Sequence, residues 1–296
     1  MTHHNQTHRA RQGRLNLPAP VLLASAAAAA IALYATAYEP FAIRLRRLRL
    51  NCPRLPTEFD GFTILQLSDL HMSKMGRRER RVTRMIRDLS PDILAITGDL
   101  AFDDVSGRQL AAMALGARPR EGAFAISGNA DVRHPGFYAG VRRVMREAGI
   151  RFLENEHVML RRGGASIVIA GVDDPHSGRD DLGRAVEGAP DDRFTLLLSH
   201  TPAIIVAAIE VGADVVLSGH THGGQLALPF IGPLYTRSGH GKGLAAGLLG
   251  GESLRKVIDL DPGRTQVYVS RGIGSSFLPL RFLAPPEIAL LELRRG

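Results

Sequence analysis

Phe62-Thr63-Ile64-Leu65-Gln66-Leu67-Ser68-Asp69-Leu70-His71 is an apolar run of strand length that ends in a carboxylate and an imidazole. A short apolar run bounded by polar turn residues reads as a buried strand. The arrangement recurs along the chain. Residues 93–97 run into Gly98-Asp99, and residues 123–127 into Gly128-Asn129-Ala130-Asp131. Residues 194–198 run into Ser199-His200, and residues 215–217 into Ser218-Gly219-His220-Thr221-His222. Residues 166–170 are a further apolar run. Helical patterns lie between several of these. Val82, Met85, Ile86 and Leu89 fall at i, i+3, i+4 and i+7, one apolar stripe that Ser90-Pro91 closes. Residues 136–149 and 202–211 also read as helices. Strands alternating with helices predict an α/β sheet with crossover connections. Toward the C-terminus, residues 256–260, 266–270 and 287–293 read as strands with no helix between them.

The chain has 296 residues, 45% hydrophobic and 22% charged. These are ordinary globular values that exclude wholesale disorder and allow a large buried core. Without repeats or an internal linker, residues 42–296 read as one domain. The single cysteine, Cys52, excludes a disulfide framework and a cysteine-based zinc site. The net charge of +8 is concentrated in residues 1–57, which hold eight Arg against one acid, Glu39. The remaining chain is nearly neutral, so no nucleic-acid partner is expected.

Behind a basic tail at residues 1–17, residues 18–38 carry no charge. About 20 apolar residues span a bilayer core as a helix. Three readings stand: an uncleaved membrane anchor, which we favour; a signal peptide cut after Ala35-Thr36-Ala37; and a soluble helix. The expected location is the cell membrane. The face is open, because Arg9, Arg11 and Arg14 precede the span while Arg44, Arg46, Arg47 and Arg49 follow it. Residues 42–50 read as a strand with a cationic outer face, either solvated or touching anionic headgroups.

Five apolar strands thus end in Asp, Asn or His. Loops converge outside the carboxyl ends of strands in α/β sheets, and ligands collect there. Gly98, Gly128 and Gly219 permit sharp turns and close backbone approach. The candidate ligands are three oxygen donors, Asp69, Asp99 and Asn129, and four imidazoles, His71, His200, His220 and His222. Mixed O/N ligation suits Mn, Fe, Zn or a similar divalent ion, not calcium. Seven protein ligands are too many for one ion with room for substrate. They suit two ions about 3.5–4 Å apart with a bridging carboxylate. Asp99 is the natural bridge.

The motifs D-L-H (69–71), G-D (98–99), G-N-A-D (128–131), S-H (199–200) and G-H-T-H (219–222) resemble those of the calcineurin-like metallophosphoesterase superfamily. Gly223-Gly224-Gln225, Ser270-Arg271-Gly272 and Pro285-Pro286-Glu287 resemble its membrane-anchored or exported bacterial branch. The resemblance implies two packed β-sheets flanked by helices, a four-layer αββα sandwich with a dimetal site at one edge. It implies that Asp69, His71 and His222 hold one ion, that Asn129, His200 and His220 hold the other, and that Asp99 bridges. A hydroxide bridging the metals would attack phosphorus in a phosphodiester or pyrophosphate.

One position departs from the family pattern, which is usually G-N-H-[D/E]. Ala130 stands where the His that assists the leaving group belongs. General acid catalysis contributes about 10²–10⁴-fold. Three explanations follow. The substrate has a good leaving group, such as a phosphate; the UDP-2,3-diacylglucosamine pyrophosphatases are similar in lacking that His. Alternatively, Asp131, His134 or His176 supplies an auxiliary group. In the third, the chain is a catalytically weak metal- or phosphate-binding protein at the membrane.

Residues 226–249 and 272–286 are rich in Gly, Pro and apolar residues. They place Phe230, Leu234, Phe277, Leu278 and Phe282 beside Arg237, His240, Lys242 and Arg281. They read as loops packed on the core, or as an amphiphilic pocket whose cations hold phosphate and whose apolar groups hold the acyl chains of a lipid-linked substrate. Lys74, Arg77, Arg78, Arg80, Arg81, Arg84 and Arg87 form a basic run, read as a solvated face or a contact with headgroups.

Overall fold

The structure is a computed structural model that describes residues 18–190, 192–236 and 238–296. The basic tail at 1–17 and Arg237 lie outside the described residues. An apolar helix, α1 (Ala19–Leu33), continues through a π-helical turn (Tyr34–Tyr38) and a 3-10 turn (Glu39–Phe41). Strands and helices then alternate: β1 (Arg44–Asn51), β2 (Thr63–Leu67), α2 (Arg77–Ile86), β3 (Ile93–Thr97), α3 (Asp104–Leu115) and β4 (Ala123–Ile126). Next come α4 (Asn129–Arg133), α5 (Pro135–Glu147), β5 (Ile150–Phe152), β6 (Glu156–Arg162), β7 (Ala165–Gly171) and α6 (Leu182–Val186). The second half adds β8 (Thr195–Leu198), α7 (Ile205–Glu210), β9 (Val215–Ser218), β10 (Ala227–Leu228) and β11 (Gly232–Pro233). The chain closes with β12 (Gly247–Gly250), α8 (Gly251–Ile258), β13 (Gln266–Val269) and β14 (Glu287–Arg294).

Two six-stranded mixed sheets result, ordered β1-β14-β2-β3-β4-β5 and β12-β13-β9-β8-β7-β6. β2, β3, β4 and β5 run parallel in the first, and β13, β9, β8 and β7 run parallel in the second. The sheets pack face to face. Ile64, Ile93 and Ile126 of the first meet Ile169, Leu196, Leu198 and Leu217 of the second in one buried core. The outer face of the first sheet is covered by Val82, Leu110 and Val141 of α2, α3 and α5. Leu182, Ile205 and Leu254 of α6, α7 and α8 cover the second. This is the four-layer αββα sandwich. Strands covered on both faces need apolar side chains at consecutive positions, which is why they read as unbroken runs. Each fully buried Leu or Ile contributes about 1.5–3 kcal/mol.

The inner core contains one instructive polar side chain. Gln66 is fully buried, and its Nε2 donates to Thr97 Oγ1 at 2.9 Å and to the Ser218 carbonyl at 3.0 Å. It joins the two sheets just below their carboxyl ends.

One expected strand is corrected. Residues 256–260 are not a strand; residues 256–258 end α8. Leu254, Val257 and Ile258 form an i, i+3, i+4 stripe that packs on the second sheet, and this tertiary contact overrides the strand preference of a Val-Ile pair. The edge strand is instead β12, antiparallel to β13, within a segment read as loop.

Residues 19–41 form a 23-residue helical stretch whose most apolar 18 residues have a mean hydropathy of 1.8, long and apolar enough to cross a membrane. No residue of α1 is buried, so it is not the core helix of a soluble fold. The far end of the stretch docks on the domain. Ala35 and Glu39 are buried there. The Arg281 N–H donates to the Ala35 carbonyl at 2.9 Å, and the Leu283 N–H to Glu39 Oε2 at 2.8 Å. Tyr34 meets Phe282 edge to face at 5.9 Å, and the Arg77 guanidinium lies 5.0 Å from the Phe41 ring centre.

Candidate metal centre

The carboxyl ends of β2, β3, β4, β8 and β9 meet at one edge of the sandwich. Asp69 and His71 follow β2, Asp99 follows β3, and Asn129 opens α4 after β4. His200 follows β8, and His220 and His222 follow β9. Asp69, His71, Asp99, His220 and His222 all have φ between 44° and 69°. This left-handed region is sparsely used by residues other than glycine and costs on the order of 1–3 kcal/mol per residue. Five such residues at one site mark a geometry held for function. The neighbouring glycines explain how the loops close. A Cβ on Gly98 would lie 2.5 Å from His200 Nδ1, and one on Gly128 would lie 2.5 Å from the Asp99 N atom.

The donor atoms form two groups that share Asp99. In the first, Asp69, His71, Asp99 and His222 each bring one donor atom within 4.8 Å of the others. His71 Nε2 stands 3.3 Å from Asp99 Oδ2 and 3.3 Å from His222 Nε2, which is 3.6 Å from Asp69 Oδ1. In the second, His200 Nε2 stands 3.4 Å from Asp99 Oδ1, 3.3 Å from Asn129 Oδ1 and 3.3 Å from His220 Nδ1. Asp99 thus presents one oxygen to each group. Six of the seven side chains are buried, and His71 is partly buried.

Outer contacts orient these donors. The Thr97 carbonyl can only accept, so His200 Nδ1 donates to it at 2.8 Å and Nε2 faces the site without a proton when the ring is neutral. Asp69 accepts from Ser68 Oγ at 2.7 Å and from the His220 N–H at 3.0 Å. Asp99 Oδ1 accepts from the Ala130 N–H at 2.7 Å. Behind Asp69, buried Glu287 accepts from Tyr268 Oη at 2.7 Å and from Arg271 Nη1 at 2.8 Å. This ties residues 270–272 to the start of β14.

The ionisation preferences conflict strongly. Burial lifts the Asp69 carboxyl above its usual range. Burial also opposes ionisation of Asp99, yet His200 and His71 hold it well below the usual carboxylate range. Burial opposes charge on His200, but the Asp99 and Asp69 carboxylates lift it to about 10. Burial, followed by His71 and Arg281, holds His222 well below its ordinary value. Carboxylates and imidazole lone pairs converging on two points, without Lys or Arg between them among the described residues, fit two divalent cations. The all-O/N donor set suits Mn, Fe or Zn.

The remaining site candidates divide. Asp131 is buried and braces two ligand loops, Oδ1 accepting from the Leu100 N–H at 2.9 Å and Oδ2 from the Gly128 N–H at 2.8 Å. Burial and the Asp99 carboxylate push it up to about 8. His134 is exposed and lines a chamber with His71, Asp99, Ala130 and Arg133. His176 lies with its ring centre 5.1 Å from that of His220. His240 is partly buried, and Lys242 is exposed, its Nζ 3.5 Å from the Ile231 carbonyl. Neither lines the cavities that reach the ligands. Arg281, expected among the cations of a substrate pocket, is fully buried. Its guanidinium donates to the carbonyls of Gly274, Ala284 and Arg271, and Nη2 lies 3.3 Å from His222 Nδ1. Burial pulls its pKa down to about 10.

A second chamber of ≈ 240 Å³ opens over Asp99, Asn129, His220 and His222, with an apolar side made by Leu226, Tyr235, Phe277 and Leu278. Gln225 shapes this wall, a role the sequence reading did not assign. Its Nε2 donates to the carbonyls of Ser276 and Leu278 at 3.1 and 3.0 Å, and its Oε1 accepts from the Ser276 N–H. Its signal was its place in Gly223-Gly224-Gln225 directly after the last ligand.

Residues 62–224 match the model of the calcineurin-like phosphoesterase family. The chain belongs to that family. It is 33% identical over 268 residues to the uncharacterized metallophosphoesterase YkuE of Bacillus subtilis, covering 88% of this chain and 89% of YkuE. It is 27% identical to the UDP-2,3-diacylglucosamine pyrophosphatase LpxG of Chlamydia trachomatis, covering 88% of this chain and 92% of LpxG. A transmembrane protein with a metallophosphoesterase domain from Danio rerio is 30% identical, over 82% of this chain and 55% of that protein. The chain is therefore a metal-dependent phosphoester hydrolase, and the family is dimetal-dependent.

Proposed function

We propose that this phosphoesterase cleaves a phosphodiester or pyrophosphate on a lipid-linked substrate at the membrane that anchors it. Residues 42–296 form the catalytic domain, and residues 18–38 are an uncleaved anchor. The docking of Ala35 and Glu39 into the domain supports retention of the segment, since cleavage after Ala37 would remove the Ala35 contact. Asp69, His71 and His222 hold one divalent ion, Asn129, His200 and His220 the other, and Asp99 both. The observation that carries this reading is the division of Asp99 Oδ1 and Oδ2 between two sets of donors. When bound, the ions supply charge neutralisation at the phosphoryl oxygens and an acidified water as nucleophile.

The chain's own residues narrow the substrate. At position 130 only the backbone N–H reaches the site, and it is spent on Asp99. No side chain there protonates a departing oxygen, so the substrate is one whose leaving group departs as a stable anion, as phosphate does from a pyrophosphate. Arg133 and His134 line that side of the site and suit such an anion. The apolar wall of Leu226, Tyr235, Phe277 and Leu278 suits an acyl or prenyl portion beside the phosphates. The pyrophosphatase activity named for LpxG, on a diacylated nucleotide sugar, supports the same substrate class here.

The test is hydrolysis of bis-p-nitrophenyl phosphate by the full chain in detergent, with and without Mn²⁺. Nitrophenolate leaves unprotonated, so the assay probes the metal centre independently of position 130. Metal-dependent turnover is expected. Its absence in folded, metal-loaded protein would replace this reading with that of a metal-binding protein of little catalytic power.

A further inference from the structure

We propose that the rim of the site is a second membrane contact. The hairpin β10–β11 and the loop at residues 275–283 seat in the bilayer surface beside the anchor, so that the apolar chamber opens onto the headgroup layer. The inference rests on residues 18–38 being an anchor in the membrane.

Four observations carry it. First, the rim exposes its largest apolar side chains. Phe230, at the hairpin tip, is fully exposed, and Phe277, Leu278 and Ile231 are 77%, 58% and 57% exposed. Second, Phe230 sits at φ near 63°. A bulky residue there is strained, and contact with water returns nothing for that strain. Third, rim and anchor are stitched together. Leu226 bridges Phe282, the Ala227 N–H donates to the Phe282 carbonyl at 2.8 Å, and the Arg281 N–H donates to Ala35 at the end of the apolar helix. A helix that spans the bilayer therefore brings the rim to its surface. Fourth, the chemistry around the junction is interfacial. Tyr34 and Tyr38 stack at 5.5 Å where the helix leaves the apolar stretch. Lys74 and Arg77 line a crevice with Phe41, Phe277 and Leu278, a placement of cations that suits anionic headgroups. Apolar tips flanked by cations are how a protein surface sits in the headgroup and acyl boundary.

The arrangement gives the substrate a route. A phosphate-bearing lipid moves laterally in the bilayer, its phosphates enter the chamber over Asp99, and its chains stay in the membrane against the rim.

The experiment places an environment-sensitive fluorophore on the full chain in vesicles of phosphatidylcholine and phosphatidylglycerol. Cys52 is buried, with its thiol pushed up to about 12 by burial, so an introduced cysteine is the reactive one. Phe230→Cys probes the rim. Arg118→Cys, 75% exposed and just before β4 at the opposite end of the strands, is the control. The label at 230 is expected to emit blue-shifted light and to be quenched by lipids spin-labelled near the headgroup, while the label at 118 is quenched by aqueous iodide. Equal iodide quenching at both positions overturns the proposal. A paired variant, Phe230→Ser with Ile231→Ser, should keep turnover of soluble bis-p-nitrophenyl phosphate. On vesicle-embedded CDP-diacylglycerol, a lipid pyrophosphate, it should lose at least about tenfold, less than the full burial of two apolar side chains is worth because the anchor still holds the chain at the bilayer. An unchanged rate in a wild type that cleaves this lipid also overturns the proposal. If the wild type cleaves neither compound, the catalytic reading fails, and the label positions still decide the membrane contact.

Discussion

At the amino ends of the strands, Asp92 precedes β3 and Asp214 precedes β9, and both are buried. Asp92 accepts from the Thr63 N–H and Oγ1 at 2.7 and 2.8 Å and pairs with Arg162 and Arg120 at 2.6 and 3.0 Å. Asp214 accepts from the Thr195 N–H at 2.9 Å and pairs with Arg264 at 3.0 Å. At the carboxyl ends of the same sheets, Asp69 and Asp99 are equally buried, yet they face imidazoles and one another. The sandwich holds one pair of carboxylates with arginines, satisfied by the protein alone. It holds the other pair in strained loops with lone pairs converging. A buried carboxylate braced by Arg and backbone N–H serves stability, whereas one aimed at other donors waits for a cation.

This contrast can be broken by substitution, and the largest effect belongs to Asp99. Asp99→Asn should reduce diesterase turnover to background while the melting temperature without metal stays within a few degrees of wild type. Mn²⁺ should raise the wild-type melting temperature, since a ligand at 100 times its dissociation constant stabilises by about 2.7 kcal/mol. The Asn variant should show little of that shift in calorimetry. A wild-type response in the variant would sink the shared-ligand assignment.

Ala130→His comes next. It should restore a leaving-group acid and raise turnover of a diester with an alkoxide leaving group by about 10²-fold or more, with little change for nitrophenyl esters. A uniform change across leaving groups would show that position 130 has no acid role. Arg281→Lys should lower stability by about 1–3 kcal/mol, because it strips donors from the buried carbonyls of Gly274, Ala284 and Arg271, and urea melts measure it. An unchanged melt would show that a lysine satisfies the same carbonyls. The smallest effect on activity belongs to the amino end. Asp92→Asn should leave turnover unchanged and lower stability by about 1–3 kcal/mol. Burial raises the Asp92 pKa, but the Thr63 donors, Arg162 and Arg120 outweigh it and hold the group below its usual range. A depressed folded value stabilises above the unfolded value and loses that contribution as pH falls through the folded one. The Asp92→Asn deficit should therefore be full at pH 7 and shrink below about pH 4, which urea melts across pH will test.

The seven donors were legible in the chain because each lies within a few residues of a buried strand. An apolar run and the turn after it are a local pattern, and parallel strands place such turns at one edge. Ligand counting calls for one shared carboxylate, and Asp99 stands 3.3 Å from His71 and 3.4 Å from His200 through its two oxygens. Residues 256–260 read as a strand, whereas 256–258 end a helix, because a short Val-Ile pair does not distinguish strand from helix until the surface it packs on is known.

Residues 18–38 declare a bilayer-length apolar segment by composition alone, and the sheets declare themselves by their apolar runs. The burial of Arg281, the bracing by Asp131, the pairing of Asp92 with Arg162 and the docking of Ala35 beside the rim were settled only in three dimensions. A periodic pattern records which faces of a segment leave water, and that information is local. A buried guanidinium or carboxylate reads as a surface charge in the chain. Only partners brought in from distant segments, such as the carbonyl of residue 222 for residue 281 or residue 162 for 92, make its burial stable.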